Sequence, residues 1–299
     1  MNLNRRTAAL LLAFATMLWG FAFIAQKNAM EYMGAFTFIG ARYVLGGLVV
    51  LPLAIMEYRR AVRRPDWQGW AIIAAVSFNF LAGSWLQQTG LRLTTATNGG
   101  FLTGLYVFFV PLILLAAFRI RPHIMVWICA PLAMAGLYTL NGGRLDQLNV
   151  GDIYVVGSSF FWALHVLLLG YAARLTAMPI FVSAISFLSA GLLAGAGALM
   201  FEAPTLSAMS AGWIEIAYAG IFSTAIAFTL QAIGQMHVPS ANAAIILSGE
   251  ALFAAIGGAV VLGERLTPMG YLGAAMIFTA IVLVETVPAI AERRQKNAA

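Results

Sequence analysis

A chain of 299 residues, 62% hydrophobic and only 9% charged, has too little charge to cover the surface of a soluble globule, so the class is integral membrane. The net charge of +6 does not mark a nucleic-acid binder, because the basic residues sit in short loops and tails, where membrane topology places them. The single cysteine, Cys129, permits no intrachain disulfide.

A bilayer core about 30 Å thick needs roughly 20 apolar residues of helix. Ten segments meet that in chain order: Thr7–Ala25, Ala35–Met56, Trp67–Gly90, Ala96–Ala117, His123–Leu140, Asp152–Tyr171, Pro179–Met200, Gly212–Gly234, Ser240–Leu262 and Pro268–Val287. The first is too long for a signal-peptide core and is expected to be retained. The apolar runs do not alternate with period two, which argues against membrane strands. The links are short and leave no room for a soluble domain.

Lys and Arg divide unequally between the two sides. One side holds Arg5, Arg6, Arg59, Arg60, Arg63, Arg64, Arg119, Arg121, Arg174, Arg293, Arg294 and Lys296; the other holds Lys27, Arg92, Arg144 and Arg265. Twelve against four predicts that both termini are cytoplasmic. Arg42 lies within a span.

The chain also repeats itself. At an offset of 144, Leu86, Gln87, Gly90 and Asn98 fall on Leu230, Gln231, Gly234 and Asn242; at 143, Trp19 falls on Trp162. Spans one to five therefore map onto six to ten, giving halves 1–145 and 146–299. Five is odd, so the second half crosses in the opposite sense. The fold class expected is all-α integral membrane, ten transmembrane helices as two inverted five-helix repeats. Many secondary transporters use that architecture for alternating access.

Several stretches carry a family likeness: Ala15–Phe21, Ala41–Tyr43, Leu247–Ala251, Leu262–Thr267 and Gly270–Gly273. With them the chain resembles the ten-helix, EamA-type branch of the drug/metabolite transporter superfamily over nearly its whole length. Within that branch it is most similar to YddG-type exporters of amino acids, aromatic ones in particular. Ala251 stands where the family commonly has Pro, which leaves open whether the ninth helix bends there. The resemblance implies export of small metabolites without an ATP-hydrolysing domain, and the chain has no GxxxxGK[ST] loop.

Ionisable side chains inside hydrocarbon are costly, so Arg42, His165 and Glu250 each have a functional and a structural reading. Glu250, whose repeat mate is Tyr106, is either a proton-coupling carboxyl or partner of a substrate ammonium, or a structural hydrogen-bonding group. His165 and Trp162, three apart, either face a small aromatic or zwitterionic solute or pack within the bundle. Arg42 either pairs internally or attracts a substrate carboxylate. Asn79, Phe80, Ser84 and Gln87 on the third span form a mixed aromatic and polar strip suited to a cavity wall, and Trp19 faces the same way as Phe23 and Gln26.

The substrate-cavity set is therefore Trp19, Asn79, Phe80, Ser84, Tyr106, Trp162, His165 and Glu250. Gln87 with Asn98, and Gln231 with Asn242, are expected to act as gates at opposite mouths. No metal, cofactor or catalytic residue is expected: there is no His pair at ligand spacing, no paired carboxylates on one helix, and no nucleophile with a nearby base. The expected partners are a small-molecule substrate and membrane lipid, with no nucleic acid; monomer and oligomer both stay open. Function points to secondary export of amino acids or related metabolites across a bacterial-type inner membrane, with export of drugs or nucleobase-like metabolites as the alternative. An intramembrane enzyme and a channel fit less well.

Overall fold

The computed structural model describes the backbone of residues 3–94, 96–140, 142–143, 149–261 and 267–298, and the side chains of all of these except 96–98, 257–261 and 291–298. Arg144, Arg265 and the 262–266 part of the second-half motif therefore lie outside the described residues, as do the side chains of Asn98, Arg293, Arg294 and Lys296.

Among the described residues every regular element is helical. The first half comprises α1 (Arg5–Tyr32), α2 (Ala35–Arg60), α3 (Trp67–Leu93), a fourth span split into α4 (Ala96–Thr103) and α5 (Tyr106–Ala116), and α6 (Ile124–Leu140). The second half begins with α7 (Val150–Thr176) and α8 (Pro179–Phe201). After the short helix α9 (Leu206–Ala211), its next span is composite: α10 (Trp213–Ala217), a π-helix (Tyr218–Phe228) and α11 (Thr229–Gly234). The ninth span is split into α12 (Ser240–Leu247) and α13 (Glu250–Val261), and α14 (Pro268–Ala298) is the tenth. Eight spans are long and apolar enough to cross a bilayer, and two shorter apolar helices, Ile124–Leu140 and Ser240–Ile256, complete ten. Helix starts are fixed by short polar side chains taking up free N–H groups: Asn4 accepts from Thr7 N at 2.8 Å, and Asp66 from Gly69 N at 2.8 Å.

The ninth span is interrupted at Ser248 and Gly249, without proline. At Leu105 and Val107 the backbone N–H groups bond to Leu102 O and Gly104 O, three residues back, at 3.2 and 3.0 Å. Gly249 and Ala251, 144 positions later, bond to Ile246 O and Ser248 O at 3.0 and 3.3 Å. Both halves thus tighten to i→i−3 bonding at the same repeat position, which ends one half-helix and starts another.

Repeat mates pack on one another across the pseudo-two-fold axis. α2 and α8 run antiparallel at very close range: a Cβ on Gly40 would lie 3.0 Å from Gly195 N, and one on Gly191 would lie 2.7 Å from Val44 N. Small residues at such contacts let backbones approach where lipid supplies no hydrophobic drive. Each helix also caps the other. Phe181 N, in the first turn of α8, donates to Glu57 Oε2 near the end of α2 at 2.7 Å. At the opposite face, Phe36 N and Thr37 N, in the first turn of α2, donate to the Glu202 carboxylate at 2.9 and 2.8 Å. At the offset of 144 Thr37 falls on Phe181, and Glu57 and Glu202 stand within one position of equivalence, so the two caps are counterparts in the repeat. A carboxylate at a helix N-terminus takes up free N–H groups and meets the positive end of the helix dipole.

Glu57→Ala and Glu202→Ala are each expected to cost about 1–2 kcal/mol of stability, adding in the double variant because the sites lie at opposite faces. Unfolding of the detergent-solubilised protein measures this; a double variant no worse than either single would show that the caps act as one unit.

Candidate functional site

Roughly midway along the spans lies a cavity lined by Trp19, Phe23, Gln26, Arg42, Gln87, Thr103, Tyr106, Trp162, Val166, Ser223, Phe228, Gln231, Leu247 and Glu250. Most of the lining comes in repeat pairs: Trp19 with Trp162, Phe23 with Val166, Gln87 with Gln231, Thr103 with Leu247, and Tyr106 with Glu250. The cavity therefore straddles the pseudo-axis.

The helix breaks set its polar centre. Tyr106 and Glu250 are the first residues of the half-helices α5 and α13, and the Tyr106 phenol donates to Glu250 Oε1 at 3.3 Å. Two positions that are equivalent in the repeat thus meet face to face. An aromatic wall stands beside them: Phe228 lies 4.5 Å from the Trp19 ring and stacks on Trp162 at 5.7 Å. Each indole N–H is held. Trp19 Nε1 donates to Ser223 O at 3.0 Å, and Trp162 Nε1 to Gln87 Oε1 at 3.1 Å. Gln87 in turn donates to Thr103 Oγ1 at 3.2 Å.

Arg42 is buried on the cavity wall with 2% exposure. Its guanidinium donates to Tyr43 Oη at 2.9 Å and lies over the Tyr43 and Phe38 rings, while Nε has no hydrogen-bond partner. Among the described residues the one ion pair, Arg5 with Glu285 at 3.1 Å, is elsewhere. A buried ion without a counter-ion costs several kcal/mol, so its retention needs a reason.

Four members of the expected cavity set lie off the lining. Phe80 is fully buried behind the wall, packed on Tyr43, Trp162, His165, Phe187 and Phe228. Ser84 hydrogen-bonds Tyr43 Oη and Phe80 O instead of the cavity. Asn79 turns back along its own helix to donate to Ala75 O at 2.8 Å. His165 is enclosed by Phe80, Trp162 and Phe228; neither ring nitrogen reaches hydrogen-bond geometry, although the Val76 backbone lies close.

The expected gate pairs separate as well. Gln87 and Gln231 lie on the cavity wall itself, because both amides sit on the inward face of their helices. Asn242 is bonded instead near the start of α12, donating to Val284 O and Glu285 Oε1 at 2.9 Å each. With Arg5 on the same carboxylate, this cluster joins α1, α12 and α14 at one face. The side chain of Asn98 lies outside the described residues. Ser223 and Phe228, the eighth-span equivalents of Asn79 and Ser84 and part of the same expected strip, do line the cavity, and Thr103 joins them without having been expected there.

Two inverted five-span halves around a central cavity define a polytopic membrane protein of the transporter type. The EamA-like transporter family model matches residues 6–142 and again 149–286, one match in each half. The chain belongs to that family, a branch of the drug/metabolite transporter superfamily, and is a transporter. An "Uncharacterized transporter" of Archaeoglobus fulgidus is 30% identical over 95% of this chain and 87% of its own length. The "Uncharacterized transporter YwfM" of Bacillus subtilis is 26% identical over 97% and 96%. The "Uncharacterized inner membrane transporter YedA" of Escherichia coli is 24% identical over 90% and 87%. A crystal structure that is 17% identical superposes with a TM-score of 0.79 over 96% of this chain and 99% of the other, which shows the shared fold.

His165→Leu is expected to leave transport intact and to be neutral or stabilising, because it replaces an imidazole without hydrogen bonds by an apolar group in an apolar surround. Flux and thermal unfolding of the variant check this; loss of flux with an unchanged melting temperature would return His165 to the substrate path.

Proposed function

We propose that this transporter exports amino acids, aromatic or other apolar ones favoured, across a bacterial-type inner membrane by alternating access, with both termini in the cytoplasm. One observation carries the reading: a cavity on the repeat axis offers a guanidinium from one half, a carboxyl from the other, and an aromatic wall between. A zwitterion with an apolar side chain has complementary parts for all three. The orientation rests on the twelve-to-four division of basic residues and the positive-inside rule.

Alternation has a physical basis in the paired helix breaks, since discontinuous helices at the repeat interface form the binding sites of many carriers. Glu250 is the group in the cavity able to exchange a proton, held by a phenol that cannot neutralise it. We assign it the coupling role.

Proteoliposomes loaded with a panel of amino acids and nucleobases are expected to show saturable counterflow of labelled phenylalanine. An inwardly or outwardly imposed pH gradient is expected to change wild-type flux and to leave Glu250→Gln flux unaffected. Wild-type flux that ignores the gradient removes the coupling role; nucleobase flux without amino acid flux removes the substrate class.

A further inference from the structure

We propose that Arg42 is a carboxylate subsite, and that Tyr43 and Ser84 exist to aim it. The inference rests on the cavity's being the transport route, and it adds a chemical requirement: the solute must carry a free carboxylate.

The cavity lining is mostly paired by the repeat, and Arg42 breaks the pairing. Its mate is Ser186, whose Oγ accepts from Ser77 Oγ at 3.3 Å. A cation is thus not demanded by the fold at this position, because the mirrored half is built without one. An arginine cannot shed its charge in a protein, and its planar fork matches a carboxylate with two parallel hydrogen bonds. At 2% exposure Arg42 is nearly removed from bulk solvent, its Nε has no partner among the described residues, and Glu250, the carboxyl in the same cavity, is engaged by Tyr106. The charge is held ready and uncompensated.

The hold is directional. Ser84 Oγ donates to Phe80 O at 2.6 Å, so it is left to accept from the Tyr43 hydroxyl. With its proton committed there, the Tyr43 oxygen accepts from Arg42 Nη2 at 2.9 Å. Arg42, Tyr43, Ser84 and the Phe80 carbonyl form one chain in which each group has a single role. Two aromatic faces, Tyr43 at 4.6 Å and Phe38 at 5.1 Å, flank the guanidinium and restrain its plane. Tyr43 and Ser84 are positioning residues: they fix which edge of the fork meets the solute.

Thermal shift of the purified full chain tests this with four probes: phenylalanine, phenylacetate, phenylalaninamide and phenethylamine. Phenylalanine and phenylacetate are expected to raise the melting temperature; the two probes without a carboxylate are expected to do so at least about tenfold more weakly in concentration, the loss of one charge-assisted pair. Arg42→Gln is expected to abolish the carboxylate preference. Its ligand-free melting temperature is expected to be no lower than wild type, since the change removes an uncompensated ion; a structural pairing role would lower it. Tyr43→Phe keeps the ring and is expected to weaken carboxylate probes about tenfold while leaving the amines unchanged. Binding of phenylacetate without phenylalanine would overturn the amino acid reading and leave Arg42 standing. Equal response to all four probes, persistence of the preference in Arg42→Gln, or no response to either carboxylate overturns the subsite.

Discussion

A peptide group in hydrocarbon has no water to turn to, so a helix can break inside a membrane only where protein or a cavity takes up the freed backbone. This chain breaks twice, at Leu105 and at Gly249, and the two breaks are the same repeat position. Because the second half is inverted, the breaks come from opposite faces and meet. What they bring together is Tyr106 and Glu250, joined at 3.3 Å. The cavity follows from this. Two tight turns cannot interdigitate as two continuous helices do, and the space they leave is walled by the aromatic residues of α1, α7 and the π-helix.

Around that centre the scaffold is close to symmetric and the lining is not. α2 and α8 cap one another with counterpart glutamates, so the pair nearest the axis is tied at both membrane faces. The wall departs from symmetry where the eighth span becomes a π-helix and the third stays a regular α-helix. Trp19 then donates to the backbone oxygen of Ser223, whereas its mate Trp162 donates to the Gln87 side chain. Phe228 occupies the position that Ser84 holds in the other half, and so an aromatic ring stacks in one half where the other places a hydrogen-bonding relay. A symmetric frame thus carries a lining whose two halves differ in chemistry.

Ten spans, the inverted repeat and the family were all readable from the chain, because each depends on patterns that extend over many residues: apolar length, charge bias and matched strings. Trp19, Tyr106, Trp162 and Glu250 were readable as lining because each sits near the middle of its span and each has a mate of interest. Asn79 was not. It lies eight positions before Gln87, about 80° round an ideal helix, and that rotation is enough to turn it from the cavity onto its own backbone. Ser84 was placed on the right face but in the wrong role, since its partner Tyr43 belongs to another helix and no local pattern announces a contact between them. His165 shares a face with Trp162, yet Phe80 and Phe228 close over it. The interruption of the ninth span falls at Gly249, where no proline marks it in the sequence.

The same geometry explains why Gln87 and Gln231 differ from the Asn242 cluster. Gln87 and Gln231 are mates that converge on one cavity from opposite halves, so both meet the same solute space. Asn242 instead stands at the start of α12, where Glu285 collects it together with Arg5. An ion pair at 31% and 16% exposure is screened and individually weak. Three helices tied through one carboxylate by so modest an interaction can be released by a small change in free energy. The mated caps on α2 and α8, by contrast, engage main-chain donors at helix starts, and breaking them strands those donors. Strong ties therefore hold the pair at the axis, and a weak one closes the edge formed by α1, α12 and α14. The contacts that are costly to break are thus the main-chain caps on α2 and α8, and the carboxylate that ties α1, α12 and α14 is the least costly to release.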